Sequence, residues 1–115
     1  MTDLDPTVSN GDLYRVVFEN ERVRVLEYRD RPGDRTTVHA HPDSVMVTLS
    51  SFRRKLVHGE ESSDVELSAG EARWVPAQQH AGENVGETES HSIFVELKEA
   101  RPEEHAGTTS LGPDR

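Results

Sequence analysis

Between residues 13 and 99 the hydrophobic and polar positions alternate with a period near two rather than the roughly 3.6 of a helix, which predicts strands throughout. Residues 14–18 are rich in β-branched and aromatic side chains, and Asn20-Glu21 punctuates them. Arg22-Val23-Arg24-Val25 alternates cleanly; Leu26 and Tyr28 then change phase, which predicts a bulge. Arg31-Pro32-Gly33-Asp34 reads as a turn, with the glycine free to take positive φ. Val45-Met46-Val47-Thr48-Leu49 is a strand, and Leu56-Val57 leads through residues 58–63 as a hairpin connection. Val65, Leu67 and Ala69 alternate with polar neighbours up to the turn at Gly70-Glu71, and Trp74-Val75 stops at Pro76. Residues 91–98 form a last strand with Ile93, Val95 and Leu97 on one face.

Roughly eight or nine short strands at turn spacings of about 8–12 residues, with no helix, predict an all-β sandwich or jelly-roll barrel. At 115 residues the chain has room for a single domain. The expected layout is a flexible, polar N-terminal arm at 1–12, the barrel at 13–99, and a disordered polar tail at 100–115. Hydrophobic residues make up only 32%. Such a lean core suits a barrel whose alternate residues face outward, with a metal or a homodimer interface adding stability. Exposed strand edges point to the same homodimer.

The formal charge of −9, from 22 acidic and 13 basic residues, argues against nucleic-acid or membrane-surface partners. Arg53-Arg54-Lys55 is a local exception that reads as a solvated surface run. Cysteine is absent, which removes disulfides, thiolate catalysis and cysteine zinc sites. No apolar stretch nears the roughly 18 residues of a membrane span, and the acidic start is unlike a signal peptide, so a cytoplasmic protein is expected. No glycine-rich phosphate loop or nucleophile elbow is present.

His39 and His41 form a His-x-His pair. On a strand, residues i and i+2 share a face, so the two imidazoles can meet one metal ion at about 2.0–2.1 Å each. Two exposed or hydrogen-bonded histidines are the alternative.

The surrounding spacing resembles the cupin superfamily. Its first motif runs Gly, five residues, His-x-His, then a glutamate and a closing glycine; here Gly33 precedes His39 and His41 by the matching interval. Its second motif runs Gly, five residues, Pro-x-Gly, two residues, His, three residues, Asn; here stand Gly70, Pro76, His80 and Asn84. The glutamate is missing, with Val45 or Met46 at its place, Gln78 replaces the glycine after Pro76, the Pro-to-His gap is one residue short, and Arg53 stands near the closing glycine. The stretch from Trp74 to Asn84 and residues 93–98 is also similar to small, functionally unassigned bacterial cupins.

The resemblance implies a cupin jelly-roll β-barrel with a divalent metal (Fe2+, Mn2+, Ni2+ or Zn2+) on His39, His41 and His80. It extends to dioxygenases that hold ferrous iron on three histidines. Without the glutamate, three neutral imidazoles leave the ion's full charge and about three positions of a six-coordinate shell open, which favours a small, chelating, anionic substrate with O2. An oxygenase is the expected function; a metal-dependent isomerase or lyase, or a non-enzymatic binding or sensing cupin, are the alternatives. Asp43 is a candidate for the missing acid, though Pro42 leaves its direction open, and Glu83 has the parity of an outward residue. Asn84 shares parity with His80 and suits a turn or a supporting hydrogen bond. His91 is either a capped core histidine or a substrate donor; His58 and His105 are expected in solvent; Trp74 and Phe94 suit core or interface packing, or the pocket mouth.

Overall fold

Nine strands follow one short helix in the computed structural model, which describes residues 4–99. Helix α1 spans Pro6–Ser9; the strands are β1 Tyr14–Glu19, β2 Val23–Asp30, β3 His39–His41, β4 Ser44–Thr48, β5 Phe52–His58, β6 Glu61–Leu67, β7 Ala72–Val75, β8 Gln78–Asn84 and β9 Ser90–Leu97. They form a five-stranded sheet, β1-β2-β9-β4-β7, and a four-stranded sheet, β3-β8-β5-β6. Every pairing is antiparallel, so the all-β jelly roll expected from the alternation is what forms. Gly33 and Gly70, the leading glycines of the two motifs, have φ of 91° and 87°, a conformation that a side chain at Cβ resists. The expected tail at 100–115, with His105, lies outside the described residues. No helix among the described residues is long and apolar enough to cross a membrane.

The space between the sheets is unusual in what it holds. Tyr14, Leu26, Tyr28 and Phe94 form the apolar cluster, with Leu13 and Met46 packed against it, and Phe52 and Leu67 are buried on the other sheet. Buried beside them are Asp30, Thr36, His39, His41, Ser44, Thr48, Asn84, Ser90, Ser92 and Glu96. Polar groups survive burial only when hydrogen-bonded, so an interior this polar is organised as a network rather than as an oily core.

Four local expectations change. The phase shift around Leu26 is not a bulge in β2, whose register with β9 is unbroken from Val23↔Leu97 to Asp30↔Ser90. The irregularity sits in β1, between Val16 and Phe18. β2 reads out of phase because it turns two charged residues inward, Arg24 and Asp30, each neutralised inside the barrel. On β9 the buried face is Ser90, Ser92, Phe94 and Glu96, opposite to Ile93, Val95 and Leu97.

The basic run is split by the pleat: Arg53 and Lys55 are exposed, whereas the Arg54 side chain is 12% exposed and paired with Asp30. The arm, expected to be loose, is tied down over residues 4–12. Asp5 caps α1 by accepting from Thr7 N at 2.9 Å, the Leu4 carbonyl accepts from Ala40 N at 2.8 Å, and Asn10 Oδ1 accepts from Thr37 N at 2.9 Å. The segment thus bonds to the backbone on both sides of His39, at Thr37 and Ala40.

Candidate metal centre

β3 places His39 and His41 on its inner face, 1% and 2% exposed, with Ala40 between them facing away. β8 pairs antiparallel with β3, and the register sets His80 directly opposite His39. Ring centroids are 4.8 Å apart for His39–His41, 4.9 Å for His39–His80 and 5.2 Å for His41–His80. One ring nitrogen from each lies within 4.8 Å of the others, close enough for the three to hold one ion.

Their hydrogen bonds decide which nitrogen is offered. His39 Nδ1 lies 2.8 Å from the Thr37 carbonyl, His41 Nδ1 3.2 Å from Glu96 Oε2, and His80 Nδ1 2.7 Å from Gln78 Oε1. Each partner oxygen only accepts, so each Nδ1 carries the hydrogen and each Nε2 carries a lone pair. Tyr14 Oη lies 3.3 Å from His39 Nε2 and 3.4 Å from His41 Nε2. One hydroxyl proton is thus shared between two lone pairs. Such a cluster of nitrogen lone pairs suits a cation.

A proton fills that role poorly. Burial is the largest cause: it lowers His39 to about 4 against the opposing hydrogen bond to the Thr37 carbonyl, and, with neighbouring His41 and His39, lowers His80 to about 3. Both are neutral near pH 7, the form that ligates.

The supporting groups form a chain running outward. Glu96 Oε1 accepts from Arg24 Nε at 3.0 Å, and Arg24 grips both oxygens of Asp5 at 2.9 and 3.1 Å. Burial opposes the charge on Asp5, yet hydrogen bonds from Arg24 and Thr7 bring it down to about 2. Phe94 stacks on His41 with centroids 5.0 Å apart and a 16° interplanar angle, fixing the ring's other face.

Beside the histidines opens a cavity of about 220 Å3, lined by Tyr14, Tyr28, Met46, Arg54, His80 and Phe94 among others, with exposed Arg73, Trp74 and Pro76 at its rim. Met46, packed toward Phe94, is the inward residue where the motif glutamate would stand. The oxygen beside Nε2 of His39 and His41 comes instead from Tyr14 on β1.

The other candidates are not drawn in. Asp43 Oδ1 accepts from Ala77 N at 2.9 Å, and Glu83 sits between the inward Gly82 and Asn84. Asn84 Nδ2 donates to Asp30 at 2.9 Å and to the Thr88 carbonyl at 2.8 Å, a turn-holding role. His91 lies on the outer face of β9, 2.7 Å from Glu27, and is neither a core nor a pocket residue. His58 is exposed as expected, but its ring lies 5.7 Å from that of His80.

Tyr14, Arg54, Gln78 and Glu96 are site residues that motif reading passes over. Parity supplied a signal for one of them: Gln78 lies two residues before His80 on the same strand face.

No protein-family model matches the chain, and no curated protein matches it. Among solved structures it is similar to a cupin domain from Bordetella pertussis, at 31% identity over 76% of this chain and 93% of that one, with a TM-score of 0.71. An uncharacterised protein with a double-stranded β-helix domain from Klebsiella pneumoniae matches at 23% identity over 74% and 75% of the two chains, TM-score 0.60. The polyketide cyclase RemF from Streptomyces resistomycificus matches at 20% identity over 77% and 66%, TM-score 0.58, a likeness of fold.

Proposed function

The chain belongs to the cupin superfamily, and on that premise we propose that His39, His41 and His80 hold one divalent ion and that the adjoining cavity takes a small anionic molecule for oxidation by O2. The observation that carries this reading is the convergence of one ring nitrogen from each of the three histidines within 4.8 Å, with an acceptor standing at each Nδ1. Iron, manganese, nickel and zinc all accept imidazole, and supply and geometry choose among them. When bound, the ion supplies a Lewis acid and, for a redox-active metal, electron exchange with O2.

The chain's own residues do the rest. Glu96 and Gln78 orient two of the rings and raise their basicity, as acceptors behind ligating histidines do. Tyr14 holds a proton beside Nε2 of His39 and His41, where it can be given to a bound anion. Phe94, Met46 and Tyr28 keep the cavity wall largely apolar, which strengthens every charge interaction inside it.

A second, non-redox reading is favoured by the polyketide cyclase of the same fold: the ion polarises a carbonyl and the protein catalyses isomerisation or ring closure. A sensing role without turnover is the third. Elemental analysis of untagged protein tests the metal, and an oxygen electrode with small carboxylates and diketones separates the reactions. Stoichiometric metal with O2 uptake supports the first reading; stoichiometric metal without uptake passes the choice to the second and third; absence of metal overturns the first two.

The proposal includes a homodimer. Supporting it is an apolar row across the outer face of the five-stranded sheet, Phe18, Val25, Val95, Val45 and Trp74, set side by side by the strand registers. Phe18 and Trp74 are 54% and 53% exposed. A cytoplasmic setting suits a chain without cysteine.

A further inference from the structure

We infer that Arg54 is the anchor for a carboxylate on the bound molecule, which makes the ligand a small carboxylic acid with an apolar body. This deepens the reading of the barrel interior as a substrate pocket and rests on it.

A guanidinium such as that of Arg54 carries five N–H groups in a rigid fork. Nη1 donates to Asp30 and lies 3.3 Å from Ser90 Oγ. Among the described residues, Nη2 and Nε find no protein acceptor, although the side chain is 12% exposed. Buried charged donors left without partners are rare, and here they border a cavity.

Three features fix the guanidinium there. Its carbon lies 4.9 Å from the centroid of the Tyr28 ring. Asp30 is itself saturated by Tyr28 Oη, Asn84 Nδ2 and the Ser90 amide, so it holds one edge of the guanidinium immobile. Gly82 supplies the space: a Cβ there would stand 2.5 Å from Arg54 Nη2. The glycine is therefore read by the guanidinium rather than by a turn.

The cavity wall points the same way. The chain has 22 acidic residues, yet among the described residues not one lines this cavity, while Arg54 lies in its wall and Arg73 at its rim. The remaining lining is mostly aliphatic and aromatic. At about 220 Å3 it is smaller than the roughly 300–1,000 Å3 of drug-sized pockets, so the occupant is of metabolite size. An apolar chamber with an immobilised fork of free N–H donors matches a carboxylate joined to an apolar body.

The test uses benzoate and its neutral isostere benzamide, with binding measured by calorimetry on chelator-treated and on metal-loaded full-length protein. Without metal the preference reports on the cavity's own guanidinium groups, and the variants below assign it to Arg54 rather than to Arg73 at the rim. The expected result is benzoate binding at least about tenfold tighter than benzamide, the lower range for a charge-assisted hydrogen bond. Gly82→Ala displaces the guanidinium while leaving its charge, and should erase the preference with an unchanged circular dichroism spectrum. The double variant Arg54→Met, Asp30→Asn removes both charges together, avoids a stranded buried carboxylate, and should do the same. Equal binding of the two probes, binding of neither, or a preference that persists in Gly82→Ala overturns the inference. Because the preference is read without metal, failure of the histidine trio to retain an ion leaves it standing, and its own failure leaves the trio untouched.

Discussion

Glu96, on the central strand of the five-stranded sheet, lies 3.2 Å from Nδ1 of His41 on the short strand of the other sheet, and both side chains are almost wholly buried. The pair joins the two sheets at the point where the histidines converge. Replacing Glu96 by Gln keeps the shape and removes the charge behind His41. Metal affinity should fall by about 10–100-fold, the usual cost of losing such a partner. Chelator competition measures it, and an affinity within twofold of the parent contradicts the role.

His39→Ala and His80→Ala each remove one of three nitrogens. Both variants should lose stoichiometric metal uptake and the rise in melting temperature that metal gives the parent, because only binding to the folded state stabilises it. Uptake equal to that of the parent in both variants shows that the ion sits elsewhere.

Tyr14→Phe keeps the ring packed on Tyr28 and Phe94, with centroids 4.6 and 6.0 Å away, and removes only the hydroxyl. Stability should change by no more than about 1 kcal/mol, since the long contacts to Nε2 are weak hydrogen bonds. Metal stoichiometry should be retained while turnover falls. Full turnover in the variant removes Tyr14 from the chemistry.

The metal-free protein should weaken in acid within a definite window. His39 and His80 are held by burial at about 4 and about 3, against 6.5 for an unperturbed histidine. The unfolded chain therefore binds more protons than the folded one as pH falls below 6.5. The stability these rings confer is complete above that value and is lost progressively down to the folded values. Melting temperature followed from pH 7 to pH 4 should drop, and His80→Gln should flatten the drop. An unchanged slope in that variant contradicts the assignment.

Sedimentation at micromolar concentration should give twice the 12.9 kDa of one chain. Phe18→Glu with Trp74→Glu, placed at the two ends of the apolar row, should return it to one. A parent that sediments at 12.9 kDa refutes the dimer.

The barrel itself was legible because alternation is a local property. His39-x-His41 told its own story for the same reason: two residues apart on a strand means one face. His80 could be reached only through a motif, since its pairing with His39 spans two strands that no local pattern connects. The groups around the trio were hidden by a rule that normally works, that charge faces water. Arg24, Asp30, Arg54 and Glu96 all face inward, each against an opposite charge supplied by a distant strand. The same rule made Ile93 and Val95 look like the principal face of β9, when the protein uses its serines, Phe94 and Glu96 there.

Asp5 stands at the outer end of the chain that passes through Arg24 and Glu96 to His41. The identity of the fifth residue, well outside the sheets, thereby bears on the electron density at a nitrogen deep within them. A substitution at Asp5 is thereby felt at the histidine trio, and Asp5→Asn should loosen the hold of the proposed site on an added ion although it touches none of the three rings.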